Sequence, residues 1–296
     1  MRPEEIGAGS TRPLVGQVTE AVEPGLPFEL RFPQGALPPT KNIAGRYFLA
    51  RYSNDVGTER DHDWSFYLRR PLSVCSRQVR EPGDFWRVYP GNGQAVPRQD
   101  TANENFERAG LDPAFLWLAK RRPGDLLNLL GPFGNGFSVP AEAHNLLIAV
   151  DVADDPAWFW QLYSLCEQSL DQGGRATILL RAGSARELAA LIPWLPVQVE
   201  VRTAAGDFEW LEQLQQTAAW ADLICAGVPA SRFGELRHVI GQSRIHTDRN
   251  VVQVLVKADL ACGVGACLVC VVPTGRGGYT RACVHGPVFD LMELVD

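Results

Sequence analysis

The sequence ACGVGACLVC at residues 261–270 decides how the C-terminal part of the chain folds, because it places three cysteines in one short glycine-rich loop. A fourth cysteine follows and completes the spacing Cys262-x4-Cys267-x2-Cys270-x12-Cys283. This spacing matches the plant-type pattern of [2Fe–2S] ligands, C-x4-C-x2-C…C. The loop glycines allow backbone N–H groups to turn toward a negatively charged cluster without Cβ clashes. The sequence therefore predicts a [2Fe–2S] site with these four cysteines as its metal ligands.

Two other uses of clustered cysteines stay open at this point. A structural zinc site usually has two C-x2-C knuckles, and only Cys267 and Cys270 form one here. Disulfides are disfavoured in a reducing compartment, and we expect a cytoplasmic protein because the polar N-terminus lacks the apolar stretch of a secretory signal. A [2Fe–2S] cluster carries one electron at a time, which indicates electron transfer rather than hydrolysis.

The composition limits the class of protein. The chain has 296 residues, of which 46% are hydrophobic and 21% charged, as in a packed protein of about two domains. The net charge of −6 gives no support for a nucleic-acid partner. No apolar run approaches the roughly 18 residues of a membrane span. We therefore expect neither nucleic-acid binding nor membrane insertion.

Strands and helices alternate through residues 141–257, which precede the cysteine loop. The apolar run at 146–150 is typical of a strand that is buried on both faces. Further strands are predicted at 176–180, 197–201, 223–226 and 251–256. Helices are predicted at 156–170, 184–192, 208–216 and 232–240. This alternation predicts a parallel, doubly wound α/β sheet.

The N-terminal half has a β pattern instead. Runs rich in β-branched and aromatic residues predict strands at 15–22, 46–52, 64–68 and 85–89. Their spacing predicts an antiparallel β-barrel or sandwich. The predicted fold class is therefore α+β and multidomain, with an antiparallel barrel, a doubly wound α/β domain and a small cluster module. The predicted boundaries are a flexible tail at 1–13, the barrel at 14–140, the α/β domain at 141–257 and the [2Fe–2S] module at 258–296.

Two short motifs suit a second cofactor that handles two electrons. RRPLSV at 69–74 lies at the end of a predicted strand, and GPFGNGF at 131–137 follows the barrel strands. Together with the α/β domain and CGVGAC…C, their order resembles the ferredoxin reductase superfamily over residues 14–296. Within it, the sequence is most similar to the electron-transfer subunit of NAD-linked dihydroorotate dehydrogenase B. The resemblance implies FAD as the second cofactor.

The resemblance also implies roles for individual residues, none of them catalytic. Arg70 would hold the FAD pyrophosphate, where a guanidinium gives bidentate, permanent charge. Ser73 would hydrogen-bond near the reactive nitrogen of the flavin ring. The expected FAD-binding residues are Arg70, Pro71, Leu72, Ser73, Arg87, Val88, Gly134, Asn135 and Gly136.

The nucleotide site departs from the family pattern. Members bind NAD(P) through a glycine-rich turn after the first strand of the α/β domain. Here Asp151, Asp154 and Asp155 stand at that turn, and carboxylates repel a diphosphate. NAD(P) is therefore a doubtful cofactor of this chain.

Three functions follow as hypotheses. The first is an electron-transfer subunit in pyrimidine biosynthesis that partners the catalytic subunit of a dehydrogenase, such as an FMN-containing dihydroorotate dehydrogenase. The second is a reductase subunit of another flavin and iron–sulfur complex that has lost direct NAD(P) binding. The third is a non-catalytic assembly subunit that binds only the cluster.

Overall fold

The structure is a computed structural model, and it describes residues 10–40, 42–53, 68–91, 113–243 and 249–294. Most of the predicted tail and nearly all of the predicted strand at 64–68 lie outside these residues. No helix among the described residues combines the length and the apolar character needed to cross a membrane.

Six antiparallel strands close into a barrel in the order β1-β2-β5-β4-β3-β6. Their bounds are β1 Ser10–Val18, β2 Phe28–Phe32, β3 Tyr47–Arg51, β4 Arg70–Arg80, β5 Gly83–Tyr89 and β6 Leu126–Phe133. Side chains alternate between the barrel interior and its outer face, so that Phe28, Leu30 and Phe32 are almost fully buried. A short helix, α1 (Pro113–Leu118), precedes β6. The predicted antiparallel barrel is confirmed.

Three details of the barrel differ from the prediction. Strand β1 begins at Ser10, inside the predicted tail, because residues of β1 pair with β6 on the barrel wall. The RRPLSV motif opens β4 instead of following a strand, and Pro71 lies opposite Leu49 in the ladder with β3. Strands β2, β4 and β6 were not predicted, and β6 runs into the GPFGNGF motif.

The second sheet has six strands in the order β14-β11-β10-β7-β8-β9. The strands are β7 Asn145–Asp151, β8 Arg175–Arg181, β9 Glu200–Ala204, β10 Leu223–Gly227, β11 Val252–Leu255 and β14 Val288–Asp290. The helices between them are α2 Ala157–Leu162, α3 Ser164–Asp171, α4 Ala185–Leu191, α5 Asp207–Ala218 and α6 Phe233–Ser243. All pairs are parallel except β11 with β14. The predicted doubly wound sheet is confirmed.

Helices on both faces explain the apolar run in β7. Leu146 and Ile148 belong to the core under α2 and α3, whereas Leu147 and Ala149 belong to the core under α5 and α6. Each of these four side chains is fully buried. A strand covered on both faces needs apolar residues at successive positions.

The C-terminal module is built from a hairpin and two helical turns. The hairpin pairs β12 (Val271–Pro273) with β13 (Tyr279–Arg281), and α7 (Ala282–His285) follows directly. The chain then returns to the α/β sheet as β14, where Phe289 lies opposite Val254, and ends in α8 (Leu291–Leu294). The predicted module at 258–296 therefore shares its last strand with the α/β sheet, because β11 has an open edge that β14 covers.

Candidate iron–sulfur and flavin sites

The four predicted cluster cysteines come together as two sulfur pairs. The Sγ atoms of Cys262 and Cys267 lie 3.3 Å apart, and those of Cys270 and Cys283 lie 3.2 Å apart. Each pair can therefore serve one iron of a two-iron cluster. Within the described part of the chain, no three His, Cys, Asp or Glu side chains surround one point as a single-ion site requires. Two close sulfur pairs fit the one pair per iron that a [2Fe–2S] cluster needs.

Backbone N–H groups of the loop face the sulfur of Cys262. The loop reaches this shape because Gly263 and Gly265 adopt positive φ angles of 70° and 74°. Partial burial raises the pKa of Cys262, but hydrogen bonds from the Cys267 side chain and from backbone N–H groups outweigh it and lower the pKa to about 6. Burial and then the neighbouring Cys270 raise the pKa of Cys283 to about 12. The loop is thus built to stabilise negative charge beside Cys262, as a cluster requires.

The segment after the hairpin holds the loop in place. Arg281 Nη1 donates to the Gly265 carbonyl oxygen at 3.1 Å. The backbone N–H of Ala282 donates to the Cys270 carbonyl oxygen at 2.9 Å. A Cβ at Gly265 would lie 2.7 Å from Val284 Cγ2. Cys283, the fourth predicted ligand, is therefore held next to the loop that carries the other three cysteines.

One side of the cysteine loop faces the protein and the other faces solvent. On the inner side, a Cβ at Gly263 would meet Phe133 at 3.0 Å and Leu49 at 3.1 Å, so the loop rests on the barrel. On the outer side, Leu268 and Val269 are 58% and 53% exposed. Grouped apolar side chains at a surface are typical of a docking site.

The nine predicted FAD residues do not lie on one surface. Leu72 and Val88 point into the barrel core and are fully buried. Arg70 is half-buried at the start of β4, and its Nη1 lies 3.4 Å from the Leu68 carbonyl oxygen. Arg87 forms a 3.4 Å ion pair with Glu20 on the outside of the barrel. The side chains of Arg87 and Ser73, in contrast, lie on the outer face of the barrel, where a cofactor could contact them.

Helix α2 covers the outer barrel face at Ser73. Gln161 Nε2 donates to Ser73 Oγ at 2.7 Å, and the Gln161 carbonyl oxygen accepts from the Gly45 N–H at 3.1 Å. The Trp160 ring stacks on Tyr89 with centroids 6.1 Å apart. A flavin ring that hydrogen-bonds to Ser73 would therefore have to displace the Gln161 side chain.

A cavity of about 310 Å³ lies beside Trp160. Arg80 and Arg87 border it, and so do three carboxylates, Glu20, Glu29 and Glu167. Those carboxylates disfavour a diphosphate, so the cavity offers no obvious replacement for the site at Ser73.

The Gly-Asn-Gly part of GPFGNGF joins the barrel to the cluster module. The Asn135 N–H donates to the Gly286 carbonyl oxygen at 2.6 Å, and Asn135 Nδ2 donates to that of His285 at 3.0 Å. A Cβ at Gly134 would lie 2.6 Å from Pro287. A Cβ at Gly136 would lie 2.6 Å from a backbone oxygen of residue 42. In this structure these glycines allow close contact between protein segments, and their predicted contact with FAD stays a prediction.

An ion-pair network occupies the turn where the family has its nucleotide-binding glycines. Asp151 is 1% exposed and contacts Arg181 Nη1 at 2.9 Å and Arg232 Nε at 3.1 Å. Asp207 contacts the same two arginines from the solvent side. Asp155 accepts from the Ala157 N–H at the start of α2. Ion pairs between protein side chains thus hold the turn at which the sequence places the doubtful nucleotide site.

Comparison with known proteins agrees with this architecture. Residues 258–295 match the family model of the iron–sulfur cluster binding domain of dihydroorotate dehydrogenase B. The electron transfer subunit of dihydroorotate dehydrogenase B (NAD+) from Geobacillus kaustophilus is 26% identical over 243 residues, which cover 77% of this chain and 80% of the relative.

Two solved structures share the fold. The NADH-dependent reduced ferredoxin-NADP oxidoreductase superposes with a TM-score of 0.60 at 18% identity, over 94% of this chain and 89% of that one. Phthalate dioxygenase reductase superposes with a TM-score of 0.50 at 16% identity, over 92% and 94%. The chain therefore has a ferredoxin reductase-like fold with a C-terminal iron–sulfur binding domain.

Sequence reasoning missed three residues that shape these sites. Gln161 reaches Ser73 from α2, and Arg281 anchors the cysteine loop. Tyr47 lies buried beside the loop. A glutamine, an arginine and a tyrosine carry no local signal in a sequence, because each acts on a partner that is distant along the chain.

Proposed function

We propose that this chain is the electron-transfer subunit of a flavin- and iron–sulfur-dependent oxidoreductase. The observation that carries the proposal is the two sulfur pairs of Cys262 with Cys267 and Cys270 with Cys283, held beside a ferredoxin reductase-like barrel. A [2Fe–2S] cluster bound there transfers single electrons. The residues of this chain would bind the cluster, donate hydrogen bonds to its sulfurs and exclude water on the barrel side.

FAD is the second cofactor of the proposal. The ferredoxin reductase-like fold supports it, and so does the likeness to electron transfer subunits. In this chain Arg70 would hold its pyrophosphate and Ser73 its ring, as predicted from the sequence. Seating the ring at Ser73 requires Gln161 Nε2 to leave the serine hydroxyl, which it contacts at 2.7 Å.

The partner in this proposal is the catalytic subunit of a dehydrogenase. The relatives named as dihydroorotate dehydrogenase B subunits favour a dihydroorotate dehydrogenase as that partner. Its FMN content and its place in the cytoplasm are expectations from the sequence. The exposed apolar residues at the cysteine loop, Val264, Leu268 and Val269, provide the docking surface on our proposal. Electrons would leave there because the cluster is closest to solvent on that side.

A second candidate function is electron transfer or assembly through the cluster alone. Two contacts favour it: Gln161 on Ser73, and the Asp151 ion pairs at the nucleotide turn. The first contact engages the serine that is expected to bind a flavin, and the second engages the turn that is expected to bind a dinucleotide. Direct reduction by NAD(P)H is not part of either proposal.

Cofactor analysis of the purified chain tests both candidates. Equal amounts of iron and acid-labile sulfide together with bound FAD support the first, whereas iron and sulfide without FAD support the second. Cys267→Ala should abolish the cluster absorbance, and Cys225→Ala should retain it, because Cys225 is a fully buried thiol of β10. Cluster absorbance that persists in Cys267→Ala would contradict the ligand assignment.

A further inference from the structure

Tyr47, the first residue of β3, has a buried hydroxyl without a hydrogen-bond partner among the described residues. Its side chain is only 2% exposed. Buried polar groups in folded proteins are almost always hydrogen-bonded, because an unpaired hydroxyl loses its water without compensation. An acceptor that comes with a bound group would remove this cost.

Tyr47 packs with Leu49 and Phe133 in one apolar cluster, and the side chains of these two residues lie against the cysteine loop. In the barrel ladder Tyr47 pairs with Phe133 of β6, and the two rings are 5.9 Å apart. The Phe133 ring in turn lies against Gly263 of the loop. On its other side Tyr47 pairs with Ser73 of β4. Tyr47 therefore lies on the barrel wall between β6, which carries Phe133 beside the loop, and β4, which carries Ser73.

The Tyr47 hydroxyl keeps its proton and can donate a hydrogen bond. Burial raises the pKa of Tyr47 far above its ordinary value. The phenol therefore stays protonated and can act only as a neutral donor or acceptor. A cluster carries negative charge on its sulfurs, which accept hydrogen bonds.

We propose that the Tyr47 hydroxyl donates a hydrogen bond to a sulfur of the [2Fe–2S] cluster and thereby raises the reduction potential of that cluster. The inference rests on the cluster of the proposed function. A donor stabilises the reduced cluster more than the oxidised one, because the reduced cluster carries more negative charge. Tyr47 is thus a tuning residue that touches the cofactor and takes no part in bond making.

Tyr89 provides a matched control within the same barrel. Its hydroxyl is also buried without a partner among the described residues, and the residue is 1% exposed. However, Tyr89 lies on β5, two strands away from Tyr47 on β3, and its ring stacks on Trp160 of α2. Loss of this hydroxyl removes the same chemical group at a site away from the cluster.

The test is a redox titration of the purified full chain, followed by EPR of the reduced cluster. We expect Tyr47→Phe to disfavour reduction about tenfold, a decrease of 59 mV for one electron, with changed g values. Tyr89→Phe should leave both unchanged. Because EPR detects only molecules that hold a cluster, partial cluster loss does not obscure the potential. Tyr47→His, which keeps a donor, should restore part of the shift.

An unchanged cluster potential in Tyr47→Phe would overturn the inference, and so would an equal shift in Tyr89→Phe. A shift confined to a flavin potential would also overturn it, since the acceptor would then be the flavin. In each of these outcomes the wild-type chain still holds a cluster, so the proposed function stands while the inference about Tyr47 fails. Wild-type protein without a cluster would instead refute the proposed function itself.

Discussion

Replacement of Gly265 by alanine tests whether the cysteine loop is shaped for its ligands. Gly265 has a φ of 74°, and a Cβ there would lie 2.7 Å from Val284 Cγ2 and 3.0 Å from Arg281 Nη1. Gly277, in the turn of the β12–β13 hairpin, has the same φ of 74° but no atom within 4 Å of its Cβ position. The two substitutions therefore share the backbone strain and differ in the crowding.

The expected magnitudes follow from this difference. An alanine in the left-handed region costs roughly 1–2 kcal/mol at either site. At Gly265 the overpacking against Val284 adds about 1–3 kcal/mol. The clash also pushes Arg281 away from the Gly265 carbonyl oxygen that it now holds at 3.1 Å. We therefore expect Gly265→Ala to weaken cluster retention by about 5- to 150-fold relative to Gly277→Ala.

The assay is the rate at which cluster absorbance is lost to an iron chelator, measured side by side for the two variants. Iron and acid-labile sulfide contents at the start of the reaction control for incomplete assembly. Equal rates for Gly265→Ala and Gly277→Ala would refute the reasoning, because they would show that contacts of the loop with Val284 and Arg281 do not hold the ligands.

Three further substitutions test other parts of the account. Asp151→Asn leaves Arg181 and Arg232 without their buried counter-charge and should lower the free energy of unfolding by about 2–4 kcal/mol in urea titrations; no change would mean that the network is not stabilising. Gln161→Ala exposes the Ser73 hydroxyl and should tighten FAD binding, measured by quenching of flavin fluorescence; weaker binding would show that Gln161 supports the flavin. Burial raises the pKa of Glu167, so its ionised form destabilises the fold as the pH rises through that pKa. Glu167→Gln should therefore raise the melting temperature at neutral pH. Below the ordinary carboxyl pKa of about 4.3 it should leave the melting temperature unchanged. An equal rise at the two pH values would contradict the role of the ionised carboxylate.

Much of the α/β domain could be predicted from the sequence, because its structure is local. The run at 146–150 is apolar at every position since β7 is covered on both faces, and each predicted helix follows a strand. The long predicted helix at 156–170 is two helices, α2 and α3, which meet at Tyr163. The spacing of the four cysteines also predicted that they come together, and the structure brings their Sγ atoms into two close pairs, whereas their role as metal ligands stays a prediction.

The rest depended on contacts between distant residues. Strand β6 was missed because its apolar residues gain strand character only from their pairing with β1 and β3. The predicted flavin role of Ser73 did not anticipate Gln161, which lies 88 residues away in the sequence. The sequence showed only that the aspartates of the turn would repel a diphosphate. It did not show that Arg181 and Arg232 form ion pairs with Asp151. No periodicity or short motif records such pairs.

EPR of the purified wild-type chain after one-electron reduction, combined with iron and sulfide analysis, tests the central claim most directly. The account predicts iron and acid-labile sulfide in equal amounts and an EPR signal of a reduced [2Fe–2S] cluster, which disappears when Cys267 is replaced by alanine. Protein that contains zinc and no sulfide, and that gives no EPR signal on reduction, would contradict it.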